Sequence, residues 1–189
     1  MICLPIHSIA SACVAGLLVV SAAAHAQTGQ PPQPAHENTA RLHGNDEAFI
    51  TDATKAVLTQ RDAARIATAR SGDREVKAFA ERVANDNATI EQELRAATPR
   101  GVKVPRNEPD AAALDSIRNL RGGEFDKTYI EQVALGGGQR SLSVFKAEAE
   151  SGRNEKLKDA ARKALPTIQE HYTMAQELAK RKHLAGATQ

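Results

Sequence analysis

A chain of 189 residues with 25 Lys and Arg against 23 Asp and Glu has a formal net charge of +2, too small and too dispersed to mark a nucleic-acid surface. Both cysteines, Cys3 and Cys13, fall in an N-terminal segment read below as a removable leader. The chain beyond that leader then has no thiol, disulfide or cysteine metal ligand.

The first 26 residues contain no Asp, Glu, Lys or Arg, carry the apolar run "CVAGLLVV" and end in "AAAHA". Ala24-His25-Ala26 fits the small-x-small cleavage pattern, and the apolar run is short for a membrane span. The reading is a secretory signal peptide over 1–26, cleaved after Ala26, with a periplasmic destination that allows outer-membrane association and no transmembrane segment once the leader is gone. One departure is the absence of a basic residue ahead of the apolar run, where only His7 stands. Cys13 follows "ASA", a poor lipoprotein box. Residues 27–44, "QTGQPPQPAHENTARLHG", have no apolar periodicity and read as a flexible tether.

From Asn45 the pattern turns helical, and with aromatics at 3% of residues the packing is of the Ala and Leu kind. The first helix, about 46–70, sets Phe49, Ala53, Ala56, Ala63 and Ala67 at steps of three and four, with Gln60 at the missing step. "SGD" supplies a turn and an N-cap. The second helix runs to about Ala97 with Val76, Phe79, Ala80, Val83, Ile90 and Leu94 in line, interrupted by Asn87. A crossover, "TPRGVKVPRNEP", leads to a short third helix, "DAAALDSIRNL". The fourth helix, from about Glu124 to Glu150, contains Gly136-Gly137-Gly138, which costs a helix interior roughly 3 kcal/mol relative to alanine. "SGRN" turns into a fifth helix, about 155–182, with Leu157, Ala161, Ala164, Ile168, Ala175 and Leu178 in its seam and His171 between Ile168 and Ala175. Pro166 frees the carbonyl of Arg162.

Such spacing predicts an all-α antiparallel four-helix bundle with a short crossover helix over 45–183 and a C-terminal tail over 184–189. Counting residues from each hairpin bend puts Gln60 and Asn87 at similar heights, roughly 6 Å apart along the axis, and Gly138 and His171 at a looser match. Tyr129 and Phe145 lie 16 residues apart and would be about 160° out of phase on a regular helix. An extra residue held in a wide, π-type turn at the glycines would bring both inward.

"VKAFAERVANDN", "GVKVP", "GGEFDKTYIEQV" and "ALPTIQEHYTMA" together resemble the bacterial exported family called domain of unknown function 4142, grouped with ferritin-like bundles and with outer-membrane proteins. The resemblance implies an exported helical bundle. Its pattern places a Glu in the first helix, an Asp-His pair in the second, a His after the aromatic motif and a His after Leu-Pro. Those positions here hold Gln60, Asp86-Asn87, the glycine run and His171, so three of four ligands are replaced by neutral groups or by nothing. No Glu-x-x-His occurs, which removes the di-iron arrangement.

The expected centre is therefore a polar core of Gln60 and Asn87 with no cofactor. The alternative is a transition metal (copper, zinc or iron) on His171 with Asp86. Asp126 and Tyr129 are candidates for a polar contact at a bundle end, and the "KRKH" run at 180–183 is expected to complement a helix C-terminus. No Ser-His-Asp order, paired catalytic acids, phosphate loop or dinucleotide fingerprint stands out. The expected role is structural or binding rather than enzymatic, toward a protein or envelope partner that the residues do not identify.

Overall fold

The structure, a computed structural model, describes residues 42–102 and 108–185. The segments expected from the sequence to be a signal peptide and, up to residue 41, a tether lie outside them, as do residues 103–107 of the crossover and the last four residues. The elements are α1 (Gly44–Arg70), α2 (Arg74–Ala97), α3 (Ala111–Arg118), α4 (Gly122–Thr128), a π-helical segment (Tyr129–Gly137), α5 (Gly138–Ser151) and α6 (Glu155–Arg181). Every regular element among the described residues is helical.

Caps fix three of the starts. Asp73 accepts from the amides of Glu75 and Val76 at 2.8 and 3.2 Å, Asp110 from Ala113 at 3.2 Å and Asn154 from Leu157 at 3.2 Å. Such bonds satisfy donors that have no partner inside the helix and contribute about 1 kcal/mol each. Glycine at 122 holds φ of 57°, a left-handed turn that L side chains resist.

α1 packs on α2 and on α5, and α6 packs on α5 and on α2. Asp46 at the start of α1 meets the Arg153 amide beyond the end of α5, and Lys182 beyond α6 meets Asp73 and Glu75 at the start of α2. Neighbouring helices therefore run antiparallel, up, down, down, up. That order forces the chain to climb the length of the bundle between α2 and α4. α3 lies on this climb and docks on α1, where Thr59 Oγ1 accepts from the Asp110 amide at 2.7 Å and Lys55 pairs with Asp110 at 3.3 Å.

The core is two apolar clusters. One gathers Ala63, Ala67, Val76, Phe79, Ile117, Phe125, Tyr129, Ala175 and Leu178 with their neighbours. The other gathers Phe49, Ala53, Val57, Ile90, Leu94, Leu142, Phe145, Leu157 and Ile168. Phe125, Tyr129 and Phe145 are all fully buried, and the widened backbone between them supplies the change of phase that a regular helix would not. Ala56 is only half-buried. Its expected seam position is taken by Val57, because the row from Ala53 continues by a step of four to Val57 and of three to Gln60.

Lys180 and Arg181 lie in the last turn of α6, at the helix end that the run was expected to complement. Arg181 and Lys182 also reach across to Glu75 and to the N-cap Asp73 at the start of α2.

Candidate functional site

Each of the four long rods delivers a residue to one level of the bundle. Gln60 comes from α1, Asn87 from α2, Gly138 and Ser141 from α5, and His171 from α6, and together with Val57, Phe79, Val83, Ala134 and Ile168 they line an internal cavity of about 20 Å³. That is room for one water molecule. Its walls draw on both apolar clusters, so the polar residues form a layer between them.

Gln60 explains part of the glycine run. Its Nε2 donates to the Val133 carbonyl at 2.8 Å. In a continued π ladder that carbonyl would accept from the Gly138 amide, but Gly138 turns back to the carbonyls of Ala134 and Leu135. A passage from π to α register leaves a main-chain acceptor needing a partner, and the Gln60 amide fills the place. To reach it, Gln60 lies over Gly137, where any Cβ would overlap Nε2 and stand 3.4 Å from Cδ. Gly138 faces the Tyr172 ring, which a Cβ would approach to 3.2 Å. Gly136 meets nothing closer than 3.5 Å. Gly136 and Gly137 thus end the π segment and Gly138 opens α5.

The other polar groups are also engaged. Asn87 Nδ2 donates to the Val83 carbonyl at 2.9 Å and Ser141 Oγ to the Gly137 carbonyl at 3.1 Å. His171 pairs through Nε2 with Asp86 Oδ2 at 2.9 Å, not with Asn87 or Gln60. Asp86 in turn takes Arg82 Nε at 3.0 Å, and Arg82 spans to Glu170 at 3.0 Å.

Burial disfavours the imidazolium and outweighs the attraction of Asp86, so the pKa of His171 is lowered. Burial alone would raise Asp86, but the hydrogen bonds from His171 and Arg82 hold its carboxyl below the ordinary value. The pair at neutral pH is therefore imidazole and carboxylate. Nε2 carries the proton and donates it, which leaves Nδ1 as the acceptor.

The layer contains one imidazole, two amides and a hydroxyl, with a single carboxylate behind the imidazole. Among the described residues, no three His, Cys, Asp or Glu side chains converge in a way that could hold a metal ion. Asp126 and Tyr129 do not make the polar contact expected of them. Tyr129 Oη and Asp126 Oδ1 are buried without hydrogen-bond partners, and Tyr129 serves as an aromatic wall stacked on Phe125 with ring centroids 6.2 Å apart. Ser141, Arg82 and Glu170 belong to the site and carry no motif. Ser141 sits one turn beyond Gly137, and Arg82 one turn before Asp86, and helical spacing alone could have pointed to them.

The fold has a counterpart of known structure. A DUF305 protein from Streptomyces coelicolor, named as a secreted protein, superposes with a TM-score of 0.61 at 16% identity, covering 74% of this chain and 93% of that one. At that identity the likeness shows the fold alone. No curated protein matches the sequence. The family described as "Domain of unknown function (DUF4142)" matches residues 31–178, which include the whole polar layer from Gln60 to His171 and both apolar clusters up to Leu178. This chain belongs to the DUF4142 family.

Proposed function

We propose that this protein is an exported, non-enzymatic helical bundle of the periplasm or cell envelope, ferritin-like in topology, that works as a structural or binding module. The observation that carries this reading is the internal engagement of the central polar groups. Gln60, Asn87 and Ser141 donate to main-chain carbonyls, and His171 is tied to Asp86. Groups held in this way fix helix register and are poor candidates for reacting with a substrate. Among the described residues no helix is long and apolar enough to cross a membrane, and the leader over 1–26 supports export.

A second reading, a transition-metal protein centred on His171, has one observation in its favour. A carboxylate on one imidazole nitrogen is how many metal-binding histidines are oriented. Among the described residues, no third His, Cys, Asp or Glu joins His171 and Asp86 in a way that could hold a metal ion.

One preparation tests both. Protein recovered from the periplasm and weighed intact is expected to begin at Gln27; a product retaining Met1, or lipid on Cys13, would overturn the export reading. The same material, dialysed against micromolar copper, zinc and iron and then counted for metal, is expected to retain no stoichiometric ion. One equivalent retained by the wild type and lost in His171→Ala would establish the second reading instead.

A further inference from the structure

At the end of the bundle remote from α3, two acidic side chains that the central site does not use are buried together. Asp46, in the first turn of α1, is 1% exposed and Glu148, in the last turn of α5, is 3% exposed. Asp46 Oδ1 accepts from the Arg153 amide at 2.9 Å, which ties α1 to the turn between α5 and α6. The Glu148 carboxyl packs against Gly152, the residue before Arg153, so the two acids meet the same turn, and Glu148 Oε1 has no hydrogen-bond partner. Room for it is made by Gly152, where a Cβ would stand 2.5 Å from Glu148 Cδ.

Two ionised carboxylates can only accept hydrogen bonds, so they repel when buried side by side; with one proton between them, one becomes a donor. We propose that Glu148 holds a proton that it donates toward Asp46, latching the first turn of α1 to the α5–α6 turn, and that this end of the bundle loosens when the proton leaves.

The surroundings favour the protonated pair. Burial, and then the charge of Asp46, push the Glu148 carboxyl up to about 7, against the opposing charge of Lys158 from α6. Lys158 is itself 3.9 Å from Glu155, and the Arg153 guanidinium is turned toward His43 Nδ1 at 3.5 Å, so neither cation forms an ion pair with the two acids. A carboxyl whose value is higher in the folded chain than in the unfolded one favours folding below its unfolded value. That contribution is lost as pH rises through the folded value. An exported protein meets outside pH directly, and this latch would respond to it between about pH 5 and pH 8.

The test uses the mature chain, residues 27–189, with Glu148→Gln and Asp46→Asn. Carboxyl-detected NMR is expected to show Glu148 titrating near 7 in the wild type and at least about one unit lower in Asp46→Asn, which keeps an acceptor for the Arg153 amide. Protection of that amide against hydrogen exchange is expected to match Glu148→Gln at pH 5 and to fall about tenfold below it at pH 8. A Glu148 midpoint below 5, or equal protection in the two proteins at both pH values, would overturn the latch. Restoration of wild-type protection at pH 8 by millimolar calcium would also overturn it, because the site would then be one for a cation rather than a proton. The wild-type titration stands even if a variant fails to fold.

Discussion

Gln60 and Gly137 occupy a single volume. The side chain of one lies where the Cβ of any other residue at 137 would be, and from there it completes the hydrogen bonding of Val133. The three consecutive glycines are consequently not equivalent, and substitutions should separate them.

Gly137→Ala should displace the Gln60 amide and leave the Val133 carbonyl without its donor, at a cost of about 1–3 kcal/mol. Gly136→Ala meets only ordinary contacts and should be neutral or stabilising by up to about 1 kcal/mol. Urea midpoints of the two single variants check the order. Equal values would disconnect Gly137 from Gln60.

Gln60→Glu tests the hydrogen bond by charge. An ionised carboxylate cannot donate to Val133, whereas a protonated one can, so the variant's deficit relative to wild type should be largest at neutral pH and shrink as pH falls. In linkage terms burial raises the introduced carboxyl in the folded state, and stability is lost as pH rises through that value. A pH-independent deficit would mean that the Gln60 amide donates nothing important.

His171 behaves in the opposite sense. Its folded value is lowered, so its contribution is present above the ordinary histidine value of about 6.5 and is lost as pH falls through the lower folded value. Glu148 moves stability the other way over part of this range, so the quantity to measure is the difference between wild type and His171→Gln from pH 4.5 to 8. It should narrow on the acid side. A difference that widens there would show that the imidazolium is the buried form.

Deleting Gly136 should shorten the widened stretch by the single residue that a π turn holds in excess, keeping the flanking phase and retaining or raising the melting temperature. Inserting a fourth glycine should lower it. Thermal melts of both variants decide the matter; two unchanged melts would show that the run does not set the phase between Tyr129 and Phe145.

The all-helical fold was legible because steps of three and four survive even in an alanine-rich seam. The polar residues could be found by their interruption of those steps, and counting from the bends aligned Gln60 with Asn87. Their partners were not legible. Val133 needs a donor only because the helix changes register there, and a carbonyl leaves no mark in sequence. Asp86 stands one residue beside the apolar stripe of α2, and whether it reaches His171 depends on how α2 and α6 cross. Asp46 reads as an ordinary acidic residue in a helix's first turn. Glu148 lies three residues beyond Phe145, on the same buried face, and Gly152 one turn later is the only trace of the space it needs.

The layer between the two apolar clusters also works as a gauge of alignment. Sliding α1, α2 or α6 by one turn, 5.4 Å, would carry Gln60, Asn87 or His171 into an oily stratum and bring an aliphatic side chain opposite the polar ones. Alanine-rich seams are smooth and discriminate poorly among such offsets on packing alone. The polar level is expected to add to the discrimination that the larger core side chains provide, and a fully aliphatic replacement of it would be expected to hold together while tolerating more than one vertical setting.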